Sequence, residues 1–484
     1  MTAILSRPAA ALLLLALYLL MCAAVWWRHR RRQRQAAAES AALLPAADAG
    51  PPVLVLHASQ TGQAEEIAWQ TARALHLAGM PVRVAALGEV DREALRGARH
   101  ALFIASTYGE GDAPDSAAPF ARDLMAAQAS DAATGLDLSS LQVGVLALGD
   151  ATYTHFCGFG RALDAWLRER GARSMFDRIE ADRADEHALS QWRQRLSHLA
   201  GTADLAEWEA PVFTDWRLAA RRHLNPGSQG GPVFHLELVP AGGSPLPAWE
   251  AGDLVQVSVA GEAARAAGAA DAIDDDARRP REYTIASLPA DGRVELMVRR
   301  TEREDGSPGL ASGWLTERLA VGGDVALRLR PHASFRIGAN ADRPLILVGN
   351  GTGLAGLRAH LKVRAQARMN TGNGAVRAWL LFGERQSAHD AHYRDEIEAW
   401  QRDRVLARVD WAFSRDQAER VHVQHLLARE APRLREWIAD GAAIYVCGSL
   451  QGMAGAVDAV LRETLGEADV DALIREGRYR RDVY

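Results

Sequence analysis

Apolar residues are spaced differently in successive stretches of the chain, and each spacing predicts a different element. Residues 9–27 form 19 consecutive uncharged positions dominated by Leu and Ala. As a helix rising 1.5 Å per residue, this run spans ~28 Å, about the hydrocarbon thickness of a bilayer. Arg28, Arg30, Arg31, Arg32 and Arg34 follow it, against a single Arg7 before it. That asymmetry keeps the C-terminal side in the cytoplasm. The run is longer than a signal-peptide core and its basic cluster lies on the opposite side, so an uncleaved anchor is expected over 5–27. An Ala-rich tether follows over 35–52.

From Val53 the pattern changes to short, continuous apolar runs at 53–57, 100–105 and 143–148. These read as strands buried on both faces and separated by amphipathic helices, the signature of a parallel α/β sheet. A polar stretch over 201–216 reads as a linker. Alternating runs at 233–239, 253–259, 283–286 and 294–299 have the spacing of a small antiparallel barrel. Continuous runs at 345–348, 379–383, 411–413 and 443–447 then predict a second parallel sheet. The expected order is a transmembrane helix (5–27), a basic juxtamembrane segment and linker (28–52), a doubly wound α/β domain (53–200), a linker (201–216), a β-barrel domain (217–340) and a second α/β domain (341–484).

Composition changes this picture little. Across 484 residues, 48% hydrophobic and 24% charged positions exclude a disordered chain, and the length excludes a single small module. A formal charge of -5 gives no overall attraction to nucleic acid. Three cysteines, Cys22, Cys157 and Cys447, are too few and too dispersed for a disulfide framework or a zinc site. No metal is expected, because the histidines form no cluster with ligand spacing. Arginine supplies nearly all the positive charge, Lys362 being the only lysine.

Candidate chemistry lies where strands end. Ser59, Gln60, Thr61, Gly62 and Gln63 place hydroxyls and backbone N–H groups at the start of a helix, where a phosphate is favoured. No lysine follows the glycine, so this is not a Walker loop, and a plain helix cap would use the same residues. Ser106, Thr107, Tyr108 and Gly109 follow the second run. Gly149, Asp150, Tyr153, Phe156 and Cys157 follow the third. Each loop offers an aromatic beside glycines that let backbone approach a flat ligand, whose rings would stack; either tyrosine alone could equally be packing, and Cys157 a small filler.

These segments, Ser-Gln-Thr-Gly-Gln-Ala-Glu, Ser-Thr-Tyr-Gly-Glu-Gly-Asp, and Leu-Gly-Asp with Tyr-x-His-Phe-Cys, resemble the three FMN loops of the flavodoxin-like domain in diflavin reductases. The resemblance implies FMN, with its phosphate on Ser59 to Gly62 and its ring between Tyr108 and Tyr153.

In the barrel, Arg281, Tyr283 and Ile285 share one strand face, so a guanidinium can hold a diphosphate while a phenol covers a ring. Thr284 and Ser287 add hydroxyls, and Gly309, Ala311 and Ser312 open a helix. Barrel core and a helix cap would account for each segment alone. Together they resemble the Arg-x-Tyr-Ser and Gly-x-x-Ser motifs of the ferredoxin-NADP reductase superfamily, which implies FAD. Gly351, Thr352 and Gly353 form a glycine-rich turn after a strand. Arg385, Ser414, Arg415, Arg420 and Gln424 follow strand ends, where a 2′-phosphate needs hydroxyl and guanidinium donors, so NADPH is favoured over NADH.

By the same resemblance, Thr284, Cys447 and Asp482 surround the hydride path, and Tyr484 covers the flavin face that nicotinamide must enter. The likeness runs in order from Val53 to Tyr484. It implies an NADPH-dependent diflavin reductase, which the expected anchor would tether to the inner (cytoplasmic) membrane, single-pass, with its catalytic domains in the cytoplasm. Electrons would pass from NADPH to FAD to FMN, and then singly to a haemoprotein or metal-complex acceptor. The terminal Tyr is that of the sulfite-reductase flavoprotein branch. Other readings are a sulfite reductase component, a ferric-siderophore reductase, or a membrane-tethered flavin-binding sensor without turnover. The chain departs from the family in three places. His422 stands where Tyr is usual, Gly356 where Pro is usual, and only about two dozen residues separate Val257 from Arg281, where relatives carry a connecting insertion.

Overall fold

The computed structural model describes residues 51–484 except 110, 127–135, 203–207, 209–211, 260–279, 304–305 and 372–376. The expected anchor at 5–27 and most of the tether lie outside the described residues. Among the described residues, no helix is long and apolar enough to cross a membrane. Contacts divide the chain into two compact units, one running to Ser59 and over Gln63–Glu209, the other comprising Gln60–Gly62 and Ala210–Tyr484.

The first unit is built on a parallel sheet of β1 (Val53–Ala58), β2 (Val82–Ala86), β3 (His100–Ser106), β4 (Gln142–Gly149), β5 (Arg173–Ser174) and β6 (Ile179–Asp182). The strand order is β2-β1-β3-β4-β5, with β6 also paired to β4, the doubly wound order of flavodoxin-like folds. Helices α1 (Gln63–Leu77), α2 (Gly158–Glu169) and α3 (Glu186–Ala200) cover it. Strand β1 shows why both faces are buried. Leu54, Leu56 and Ala58 enter one apolar cluster, while Val53 and Val55 enter the other. Both faces of the strand are therefore apolar, and periodicity vanishes from the sequence.

The second unit combines a barrel and a second parallel sheet. The barrel comprises β7 (Thr214–His223), β8 (Val233–Pro240), β9 (Leu254–Val257), β10 (Arg281–Thr284), β11 (Val294–Arg299) and β12 (Asp324–Arg330), antiparallel in the order β10-β9-β12-β7-β8-β11. A bridge between Ile285 and Leu296 closes it. The parallel sheet comprises β13 (Leu345–Asn350), β14 (Ala378–Glu384), β15 (Leu406–Phe413), β16 (Ala443–Gly448) and β17 (Tyr479–Val483), in the order β15-β14-β13-β16-β17. Helices α4 (Leu354–Thr371), α5 (Arg394–Arg402) and α6 (Val423–Arg429) pack on it. Val233, Ala286 and Met297 of the barrel share a core with Leu345, Leu347 and Leu357, which explains why barrel and sheet form one unit.

Two strands occupy segments that the sequence pattern leaves polar. The barrel begins at Thr214, inside the stretch expected as linker, because only Trp216 and Leu218 need face inward. The last strand, β17, is disguised by Arg480 and Arg481 around buried Tyr479 and Asp482.

Candidate functional site

In the first unit, three loops leave the C-terminal ends of β1, β3 and β4, where doubly wound sheets bind ligands. Ser59, Gln60, Thr61 and Gly62 lead into α1, whose first residue is Gln63. Gly62 has φ +88°, a conformation that only glycine adopts freely. Ser116, which the sequence reading passes over, ties this loop to the next: its hydroxyl accepts from Ser59 N–H at 3.0 Å and donates to Ser59 C=O at 2.9 Å. Ser106 ends β3, and Thr107 N–H bonds Leu148 C=O at 2.9 Å. Tyr108 and Asp112 exchange backbone hydrogen bonds of 2.9 Å around Gly109, making a tight loop that buries the tyrosine.

After β4, a Cβ on Gly149 would stand 2.7 Å from Cys157 N, so the loop closes only over glycine. Asp150 caps its own turn, accepting from Thr152 N–H at 2.9 Å, and Tyr153 is half-buried beyond it. Arg161 lies 5.7 Å from the Phe156 ring centroid. Cys157 is fully buried, its thiol donating to Ala147 C=O at 3.3 Å. Burial and the nearby Glu180 push that thiol up to about 12, so it remains protonated and unreactive. Two hydroxyls, Ser59 Oγ and Thr107 Oγ1, are buried in these loops without a partner. Buried polar atoms in native proteins are nearly always satisfied, so these loops fit a polar ligand such as FMN.

In the second unit, β10 carries Arg281, Tyr283 and Thr284. Burial pushes the Tyr283 phenol up, keeping it neutral. Thr284 Oγ1 donates to Asp482 Oδ2 at 2.7 Å, and Cys447 Sγ lies 3.6 Å from the same oxygen. Register produces this trio, because Cys447 on β16 is paired with Asp482 on β17. All three are buried. Burial, then the Asp482 carboxylate, hold the Cys447 thiol well above its ordinary value. A Cβ on Gly356 would come within 3.0 Å of Thr284 Cγ2, so α4 presses directly on this trio.

Ser287 is differently placed. Its buried hydroxyl donates to Arg293 C=O and accepts from Glu295 N–H, both at 2.9 Å, and is spent on the barrel backbone. Ser312 Oγ similarly accepts from Thr301 N–H at 3.1 Å and pairs with Thr301 Oγ1 at 2.8 Å. Gly309 lies against the same threonine, where a Cβ would fall 2.2 Å from Thr301 Oγ1. Ala311 is buried beside them.

A cleft of about 520 Å³ opens at the C-terminal edge of the second sheet. Gly351, Thr352 and Tyr484 line one part of it, and Arg385, Ser414, Arg415, Arg420 and Gln424 another. Gly353 lies behind it, where a Cβ would fall 2.0 Å from Cys447 O. The loop can therefore pack on β16 only as glycine. Tyr484 is half-exposed, and its hydroxyl is 3.1 Å from Thr352 Oγ1. Gln424 Oε1 is buried without a partner. Donors on this wall outnumber acceptors, which suits a phosphorylated nucleotide. The sequence reading missed Arg299 and Glu384, an ion pair that also lines the cleft.

Comparison with known proteins agrees with this geometry. Residues 55–192 match the family model described as flavodoxin, and residues 347–459 match the oxidoreductase NAD-binding domain. The chain is an NADPH-dependent flavoprotein oxidoreductase using FMN and FAD, and it is similar to the diflavin reductases. Among its relatives are the proteins named sulfite reductase [NADPH] flavoprotein alpha-component. That of Neisseria meningitidis serogroup C (strain 053442) is 28% identical, over 89% of this chain and 89% of the relative. That of Vibrio parahaemolyticus is 28% identical over 89% and 86%, and that of Mannheimia succiniciproducens 27% over 89% and 90%.

Proposed function

We propose that this reductase is anchored in the inner membrane by residues 5–27, with its catalytic units in the cytoplasm, and delivers electrons singly to a haemoprotein acceptor. Bound FAD would supply a hydride acceptor for NADPH, and the two flavins together would supply the conversion of that pair into single electrons. The chain's own residues position and protect. The observation that carries the reductase reading is the trio of Thr284, Asp482 and Cys447, brought together by the pairing of β16 with β17. Asp482 holds the Thr284 hydroxyl in one orientation, and the neutral Cys447 thiol adds no second charge. Tyr484 and Thr352 border the route into this trio from the cleft. In the first unit, Ser59 and Thr107 offer hydroxyls to FMN, and Tyr108 and Tyr153 offer rings.

Support for the anchor is the uncharged run followed by five arginines. Support for a haemoprotein acceptor is the reductase chemistry itself. The full-length chain is expected to sediment with membranes and to resist carbonate extraction, whereas a chain beginning at Val53 is soluble. Purified full-length protein is expected to reduce cytochrome c and ferricyanide with NADPH; failure with both sinks the reading. A second reading, the flavoprotein component of a sulfite reductase, is favoured by the names of the relatives and by the terminal Tyr. It requires NADPH-dependent sulfide production when a sulfite reductase haemoprotein is added.

A further inference from the structure

We infer that His422 is a titrating ligand of the coenzyme 2′-phosphate, so that this chain takes up a proton as it binds NADPH. The inference rests on reading the 520 Å³ cleft as the NADPH site.

His422 is exposed on the wall of that cleft, beside Arg415, Arg420 and Gln424. Its backbone N–H donates to His425 Nδ1 at 3.2 Å, and the two rings meet edge to face, centroids 5.6 Å apart. This arrangement divides the roles of the two imidazoles. His425 Nδ1 is engaged as the acceptor of that bond at the start of α6. The His422 ring makes no hydrogen bond among the described residues and is free to titrate.

The charged neighbours set the direction. Partial burial, then His425, Arg420 and Arg415, hold the His422 imidazole below its ordinary value, leaving it neutral near pH 7. The same cleft is lined by Arg299, paired with Glu384, and by Arg385 and Tyr484. A 2′-phosphate carries a charge of about −1.5 to −2 at pH 7. Placed among these groups it cancels the repulsion from the two guanidinium groups and supplies an acceptor, so the imidazolium becomes the favoured form. A group whose pKa rises on binding contributes affinity below its free value. That contribution is lost as pH rises through its bound value. A tyrosine at this position would give no such dependence below about pH 9.

The test is titration calorimetry of the full chain with 2′,5′-ADP at constant ionic strength, in buffers of different ionisation enthalpy. At pH 7.5, net proton uptake is expected. The phosphate's own titration would release a proton, the opposite sign. Kd is expected to weaken about threefold between pH 6.5 and 8.5, the part of a one-unit shift that remains above pH 6.5 for a group starting below that value. His422→Tyr and His422→Gln should both bind 2′,5′-ADP without uptake and with a flat profile. Binding by the unaltered chain without uptake overturns the inference and leaves the cleft assignment standing. So does an unchanged pH slope in both variants. Failure of the unaltered chain to bind 2′,5′-ADP overturns both.

Discussion

The loops of the first unit and the Thr284–Asp482–Cys447 trio of the second, proposed above as flavin sites, arrange their polar atoms in opposite ways. In the first unit, the backbone is tied down by Ser116 and by the Tyr108–Asp112 pair, but the Ser59 and Thr107 hydroxyls are buried without partners. In the second, Thr284, Asp482 and Cys447 satisfy one another, and a buried charge network stands behind them. Arg358 of α4 bonds Glu295 on β11 at 2.5 Å, Glu396 on α5 at 2.6 Å and Ala286 C=O, two residues beyond Thr284, at 2.8 Å. The first site is completed by its ligand, whereas the second is complete before one arrives. Preorganised groups lose no reorganisation energy at the moment of reaction.

The largest effect is expected at Arg358. Substitution Arg358→Met removes the nearest cation from buried Glu295, leaving it Arg293 at 3.0 Å and Lys362 at 3.5 Å, and is expected to cost ~3 kcal/mol. Denaturant unfolding monitored by hydrogen exchange in β11 and α4 reads this directly. Burial alone would raise the Glu295 carboxyl, but Arg358, Lys362 and His235 hold it down to about 2 from an ordinary 4.5. A depressed carboxyl stabilises above its unfolded value, so this stability is lost as pH falls from 4.5 towards 2. Glu295→Gln removes that acid limb. If Arg358→Met left the second unit as stable as before, the contrast between the two sites would rest on Asp482 alone.

Asp482→Ala comes next. It frees the Thr284 hydroxyl and is expected to slow flavin reduction by NADPH by ~10²-fold in stopped-flow, the scale for losing one preorganised polar group. Flavin content should be unchanged. Equal slowing by Ser59→Ala would erase the distinction between the two sites.

How much of this was legible in the sequence follows the same division. The flavin loops and the glycine-rich turn were visible, because a strand end, a glycine with positive φ such as Gly62 and neighbouring hydroxyls are local features. Thr284, Cys447 and Asp482 came from resemblance to motifs, and only register explains why they meet. Ser116 and Arg358 were not visible. Ser116 acts across 57 positions and Arg358 across 63 to reach Glu295, and nothing local marks a serine or arginine as such a tie. Strand β7 was lost because two inward residues suffice for a barrel wall. Ser287 shows the converse, a hydroxyl in a suggestive motif that the barrel backbone consumes.

Smaller differences separate the two sites when flavin is absent. Ser59→Ala and Thr107→Val remove hydroxyls that already lack partners, so the flavin-free protein should change by less than ~0.5 kcal/mol, whereas Thr284→Val, which strands Asp482, should cost ~1–3 kcal/mol. FMN affinity should nevertheless fall about tenfold in Ser59→Ala, the loss of one hydrogen bond to a charged group. A destabilised flavin-free Ser59→Ala protein would mean the hydroxyl is already in use, and the first site would then be as self-contained as the second.

The smallest effect tests the border of the second site. Tyr484 is 54% exposed and is held to Thr352 only by its hydroxyl at 3.1 Å. A neutral, half-exposed bond of this kind contributes ~0.5 kcal/mol, at the low end for hydrogen bonds. If coenzyme entering the cleft must displace the ring, it breaks that bond, and Tyr484→Phe removes the cost. NADP⁺ should then bind about twofold tighter to the variant. If the hydroxyl instead contacts the coenzyme, the same substitution weakens binding. The sign of a small change in Kd, measured by equilibrium titration, therefore decides whether the second site is complete up to its entrance or only at its core.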